Sequence, residues 1–167
     1  MRHIISLCFC FAFVLVSCKT SLTPEEELIT IVKHLQNDDT HEYMMTLKPA
    51  KEDFEHIFIN AEIADKVSEY SKKRWAAVQS LPKGIMKPNK DSDKIVIVSS
   101  NKTQLEKWNG KGLPEDYVAI AEFIKADINV YGMQYVSEDG TVGKQRAGFF
   151  KIGERWILIP QTYKAFF

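Results

Sequence analysis

The apolar positions of this chain follow a helical period through its first half and a two-residue period through its second. Leu28, Ile31, Val32 and Leu35 recur at spacings of three and four, which predicts a helix that Asn37-Asp38-Asp39 ends. Its start is written in Thr23-Pro24-Glu25-Glu26. Thr23 serves as N-cap, Pro24 occupies the first turn where no amide hydrogen is needed, and Glu26 closes a capping box. Asp39-Thr40-His41-Glu42 reads as a second capping box, opening a run through Tyr43, Met44 and Leu47 that Pro49 stops. Phe54, Ile57 and Phe58 mark a short third helix. Ile63, Val67, Tyr70, Trp75 and Val78 mark a long fourth one, ended by Leu81-Pro82-Lys83-Gly84.

After Gly84 the pattern becomes extended. Lys94 to Ser99 is short and rich in β-branched residues, which predicts a buried strand. From Phe123 to Val136, Ile124, Ala126, Ile128 and Val130 alternate with Lys125, Asp127, Asn129 and Tyr131, a half-buried strand with Gly132 as a bulge. Ser137-Glu138-Asp139-Gly140 turns the chain into a third strand near Lys144 to Ile152. Gly153-Glu154 is a two-residue hairpin turn with glycine first, leading into Arg155 to Ile159 and a stop at Pro160. Helices first and antiparallel strands afterwards define an α+β class, with N-terminal helices packed on a sheet of about four strands.

Upstream of the first helix, Arg2 and His3 precede an apolar run from Ile4 to Val16, which Ser17-Cys18 closes. Thirteen apolar residues are too few to span a hydrocarbon core, which takes roughly 20 as a helix, so the run reads as a signal peptide. Leu15-Val16-Ser17-Cys18 resembles the lipobox of bacterial lipoproteins. That resemblance implies lipid transfer to the Cys18 sulfur, cleavage between Ser17 and Cys18, and acylation of the new amino terminus. The organisation expected is then a signal peptide over 1–17, a lipid-anchored tether over 18–22 and one α+β domain over 23–167. Four extended residues between Cys18 and Thr23 reach at most about 14 Å, which sets the folded body against the bilayer. Lys19, in place of the aspartate that favours inner-membrane retention in enterobacterial lipoproteins, points to the outer membrane of the cell envelope.

Cleavage removes Cys8 and Cys10 and leaves 150 residues with Cys18 as their one cysteine, so no internal disulfide forms. The remaining 21 basic and 22 acidic residues leave a near-neutral surface, without the basic stripe that nucleic acid requires. Lys72-Lys73-Arg74, following Asp65 and Glu69, reads as a solvated helix face.

The order of elements, and the closing segment Gly148-Phe149-Phe150-Lys151-Ile152-Gly153-Glu154-Arg155-Trp156-Ile157-Leu158-Ile159-Pro160, resemble the cone-shaped α+β fold of the NTF2-like superfamily. The resemblance implies a curved sheet and helices enclosing a pocket that hosts either an enzyme or a binding module; enzymatic members place a His or Tyr with an Asp facing inward. His56 beside Asp53, and Asp127, are the nearest candidates for proton-transfer chemistry, although an i, i+3 helical pair and a strand carboxylate more often face solvent. His34, Asp38, Asp39 and His41 crowd one interhelical turn, but Asp39 is used by the cap and the histidines lack a fixed ligand spacing, so neither metal nor other cofactor is expected. Nucleophile motifs and phosphate-binding glycine loops are absent from the sequence.

The eighteen-residue connection from Ser100 to Tyr117 is long for a compact domain, and Trp108 within it is either a plug over the sheet or an aromatic anchor for a partner. Tyr131 and Tyr135, on one strand face with Met133 between, read as core before they read as a ligand platform. The function expected is a binding or scaffolding module near the membrane, for an envelope protein partner or a small apolar ligand. The alternative is a pocket enzyme of the NTF2-like type.

Overall fold

Thr23 opens α1 (Pro24–Gln36) as its side chain predicts. Its Oγ1 accepts from the Glu26 amide at 3.3 Å, and Glu26 Oε2 accepts from the Thr23 amide at 2.8 Å. The chain is seen here as a computed structural model that describes residues 22–88, 94–108 and 112–167. The signal segment, Ser17, Cys18 and most of the tether fall outside those residues.

The second cap differs from the expected one. α2 (Glu42–Met45) begins after His41, which adopts left-handed backbone geometry at φ 62°. The carboxylate serving this turn is Asp38, whose Oδ2 accepts from the Met44 amide at 2.7 Å, while Asp39 pairs with Lys87 at 3.1 Å. An N-cap needs extended backbone just before the helix. The left-handed His41, held by a 2.9 Å contact between Nε2 and the Leu81 carbonyl, brings Asp38 rather than Asp39 to the open amides. α3 (Lys51–Ile57) and α4 (Ala61–Ala76) follow. Asp53 Oδ2 accepts from the Ala50 amide at 2.7 Å at the start of α3, and Asn60 Oδ1 accepts from the Ile63 amide at 2.9 Å at the start of α4. A short 3₁₀ turn, Val78–Ser80, ends the helical half.

Four antiparallel strands form one meander in sequential order: β1 (Lys94–Asn101), β2 (Asn129–Val136), β3 (Val142–Ile152) and β4 (Arg155–Leu158). β1 is an edge strand of intermediate exposure rather than the buried strand its composition predicts, because only β2 pairs with it. The long strand expected from Phe123 is shortened at its start. Phe123 and Lys125 exchange hydrogen bonds with the connector after α3, the Ile59 amide donating to the Phe123 carbonyl at 3.0 Å and the Lys125 amide to the Ile57 carbonyl at 3.0 Å. An isolated bridge, Phe58 with Ile124, results, and β2 proper starts at Asn129. The Ser100–Tyr117 connection also gains structure in α5 (Lys102–Glu106) and a 3₁₀ helix, Glu115–Ile120.

The bulge expected at Gly132 lies opposite it, on β3. Tyr131 pairs with Phe149 while Gly132 pairs with Ala147, so Gly148 is the extra residue. Its φ of +103° is glycine territory, and a Cβ there would stand 2.2 Å from the Ile159 carbonyl oxygen. The Gly153-Glu154 turn forms as predicted, with positive φ at Gly153 alone and Ile152 paired to Arg155.

Both faces of the sheet are covered. Val130, Phe150, Ile157 and Ile159 belong to one core with Phe54, Ile57, Val67 and Ile120; Tyr131, Met133, Phe149, Trp156 and Leu158 belong to another with Leu28, Val32, Leu35 and Trp75. Neighbouring residues on a strand point to opposite faces, so each strand feeds both cores. α4 reaches both, through Val67 near its start and Trp75 near its end. Among the described residues no helix is long and apolar enough to cross a membrane.

Candidate functional site

The catalytic candidates are not brought together. Asp53 is buried, and its carboxylate bonds the Arg155 guanidinium and the Ala50 amide; His56 is exposed. Asp127 sits in the turn before β2 rather than mid-strand, and is exposed. The crowded interhelical turn is likewise divided among separate contacts: Asp38 to a backbone amide, Asp39 to Lys87, His41 to Leu81, and His34 against the Tyr43 ring at 5.0 Å. Among the described residues no three His, Cys, Asp or Glu side chains converge as metal ligands would.

Trp108 is half-buried, and its Nε1 donates to the Leu113 carbonyl at 3.0 Å. The Leu113 side chain lies over Gly132, where a Cβ would approach it to 2.7 Å. The indole thereby holds the Leu113 backbone, whose side chain covers Gly132. Tyr131 and Tyr135 lie in the core. Tyr131 meets Trp156 edge-on at 4.9 Å, and Tyr135 accepts from Gln36 Nε2 at 2.9 Å while donating to the Met86 carbonyl. Burial pushes both phenols above their ordinary pKa.

A cleft of about 410 Å³ opens where the end of α4 and the segment from Val78 to Met86 face β3 and the turn after β4. The β3 bulge shapes its floor, since Gly148 lies between the lining residues Ala147 and Phe149. Trp75, Phe149, Tyr117 and Tyr163 give it aromatic walls, with Met44, Leu81 and Met86 at one end. The volume and apolar lining are those of a small-molecule site. The Trp75 indole nitrogen, buried on a lining residue, has no hydrogen-bond partner among the described residues, and the buried Tyr117 hydroxyl lies near Thr162. Burial drives the Tyr117 phenol well above its usual range, so it stays protonated. Trp75 also borders a second, smaller cleft of about 330 Å³ lined by Lys48, Lys51, Lys72 and Ser71.

Arg74 lines the larger cleft, although its place in a basic run suggests only a solvated face. Its Nη2 donates to Gln161 Oε1 at 3.2 Å. Arg146, on β3, is half-buried, and its Nη1 donates to the Gln145 carbonyl at 2.8 Å. Loss of hydration lowers its pKa from the usual arginine value, yet an arginine remains charged under any physiological condition. The sequence carries little trace of this site, because its residues come from α2, α4, the 3₁₀ segments and two strands. Gly148 and Arg146 were readable as residues of a strand, and nothing in the spacing marks them as its floor. No protein-family model, curated protein or solved structure matches this chain.

Proposed function

We propose that this protein is a lipid-anchored bacterial envelope protein, held in the outer membrane through Cys18, whose domain binds a small, largely apolar molecule in the cleft between α4 and β3. The observation that carries the binding reading is the cleft itself, apolar over most of its wall with a few polar groups at fixed places. The scattering of His56, Asp53 and Asp127 supports binding over proton-transfer chemistry. The lipobox supports the anchor, and the helix start at Thr23 keeps the tether short. An NTF2-like ancestry is the fold reading that fits the helices-then-meander order and the closing hairpin.

Two arms of one experiment test this. Metabolic labelling with a palmitate analogue is expected to mark the wild-type chain and not Cys18→Ser; equal label in both ends the lipoprotein reading. Protein purified from its own envelope is extracted with organic solvent and the extract weighed by mass spectrometry. A small molecule enriched with the wild type and lost with Ala77→Trp, which fills the cleft from an exposed lining position, is the expected result. An extract that does not differ between the two, at matched melting temperature, removes the cleft as the site.

A further inference from the structure

Eighteen residues line the larger cleft, and the charged ones among them are Arg74 and Arg146. Among the described residues no Asp or Glu lines it. Three arginines lie among the described residues, and the third, Arg155, is paired with the buried carboxylate of Asp53. Neither cleft arginine takes part in any ion pair among the described residues. Their hydrogen-bond acceptors are neutral: a side-chain amide for Arg74, a backbone carbonyl for Arg146. Asp116 acts on the Tyr163 hydroxyl but does not line the cleft.

A half-buried guanidinium without a counter-ion is costly, because lost hydration is not replaced by an opposite charge. Arg146 shares the cleft with the apolar and aromatic residues Trp75, Met86 and Phe149, and its lowered pKa is the electrostatic mark of that lost hydration. A guanidinium offers five donors in a planar fork matched to a carboxylate, and a single neutral acceptor occupies only one of them. The unpartnered Trp75 indole adds to a lining that, among the described residues, offers hydrogen and positive charge and lacks negative charge.

Resting on the cleft reading above, we infer that the ligand is an amphiphilic organic anion, an aliphatic or aromatic carboxylate whose apolar body lies against Phe149, Trp75 and Met86 and whose carboxylate is taken by Arg146 with Arg74 at the rim. Charge complementarity selects this class. An apolar alcohol of the same size fills the same volume and leaves Arg146 unpaired, and an alkylammonium meets two like charges.

Octanoate, octanol and octylammonium are the probes, titrated calorimetrically into the full chain in zwitterionic phosphatidylcholine nanodiscs, with empty discs as the blank. Octanoate is expected to bind at least tenfold more tightly than octanol, and octylammonium not to bind. Arg146→Gln is expected to cut octanoate affinity tenfold or more without changing octanol, and Arg74→Gln to do the same to a smaller degree. Lys107→Gln, an exposed charge outside the cleft, controls for net charge and is expected to change nothing. Thermal melting confirms that each variant is folded. Equal affinity for octanoate and octanol, or an octanoate affinity indifferent to Arg146→Gln, overturns the anion inference while leaving the apolar cleft standing. Binding of none of the three probes, or binding that Ala77→Trp does not reduce, overturns the cleft reading and this inference with it.

Discussion

Trp156 and Trp75 lie in the same core on the same side of the sheet, and their surroundings are opposites. Around Trp156 the polar tips are paired. Its Nε1 donates to Glu27 Oε2 at 2.8 Å, Lys151 Nζ meets the same carboxylate at 2.7 Å, and Tyr131 packs edge-on against the indole. This joins the closing hairpin to α1 across 129 residues of sequence. Around Trp75, among the described residues, the indole nitrogen has no partner and Arg146 and Arg74 carry no counter-ion. One end of the core is satisfied internally and holds the fold together; the other keeps unmet hydrogen-bonding capacity and charge beside an open cleft. Unpaired buried polar groups are rare in native structures because each costs stability, so the Trp75 indole nitrogen, on a residue that lines the cleft beside two uncompensated arginines, marks where an external partner is to be sought.

The largest effect expected from breaking this contrast is at the satisfied end. Trp156→Ala removes a buried aromatic and leaves Glu27 one donor short, which should cost ~3–5 kcal/mol. For a domain of this size that is a fall in melting temperature of roughly 2–4 °C per kcal/mol. An unchanged melting curve would mean that the hairpin is not tied to α1.

A smaller effect isolates the carboxylate. Lys151 first, and then the Trp156 indole, hold the Glu27 carboxyl below its ordinary value of 4.5 by hydrogen bonding to its charged form. A carboxyl whose folded pKa is depressed contributes stability that is present above its unfolded value and lost as pH falls through the folded one. Glu27→Gln should therefore cost about 1 kcal/mol at neutral pH, and the gap between wild type and variant should close as pH drops below 4.5. A gap that stays constant from pH 7 to pH 3 would remove charge from the explanation. Urea unfolding across that range makes the measurement.

The smallest effect is expected at the other tryptophan. Trp75→Phe removes part of a buried ring together with a nitrogen that has no partner among the described residues, so stability should fall only by the lost packing, at most about 1 kcal/mol. A loss well beyond that packing cost in differential scanning calorimetry would show that the indole nitrogen has a partner, and would erase the difference between the two ends of the core.

Much of the architecture was legible locally. The Thr23 capping box, the helical periods through Val78, the Gly153-Glu154 turn and the closing strand all depend on residues a few positions apart, and they form where the pattern puts them. The errors arose where a distant segment intervened. Asp38 displaced Asp39 at the second cap because His41, anchored by Leu81 forty residues away, turned left-handed. The strand expected from Phe123 was captured by the connector after α3. α5 was missed although Asn101-Lys102-Thr103-Gln104 carries its capping box, Asn101 Oδ1 accepting from the Gln104 amide at 3.0 Å. The helix it opens has five residues, too few for a periodic signal.

By itself the sequence determined the α+β class and the two-residue hairpin, because capping, turn formation and apolar periodicity act over a few residues. The tertiary structure decided which face each strand residue covers, that the bulge falls on Gly148, and that Arg146 lines one cleft with Trp75 and Tyr117, with no carboxylate among the described lining residues. That last arrangement draws on elements separated by most of the chain. Its meaning lies in the charge that is missing nearby, and a linear pattern does not record what three-dimensional packing leaves out.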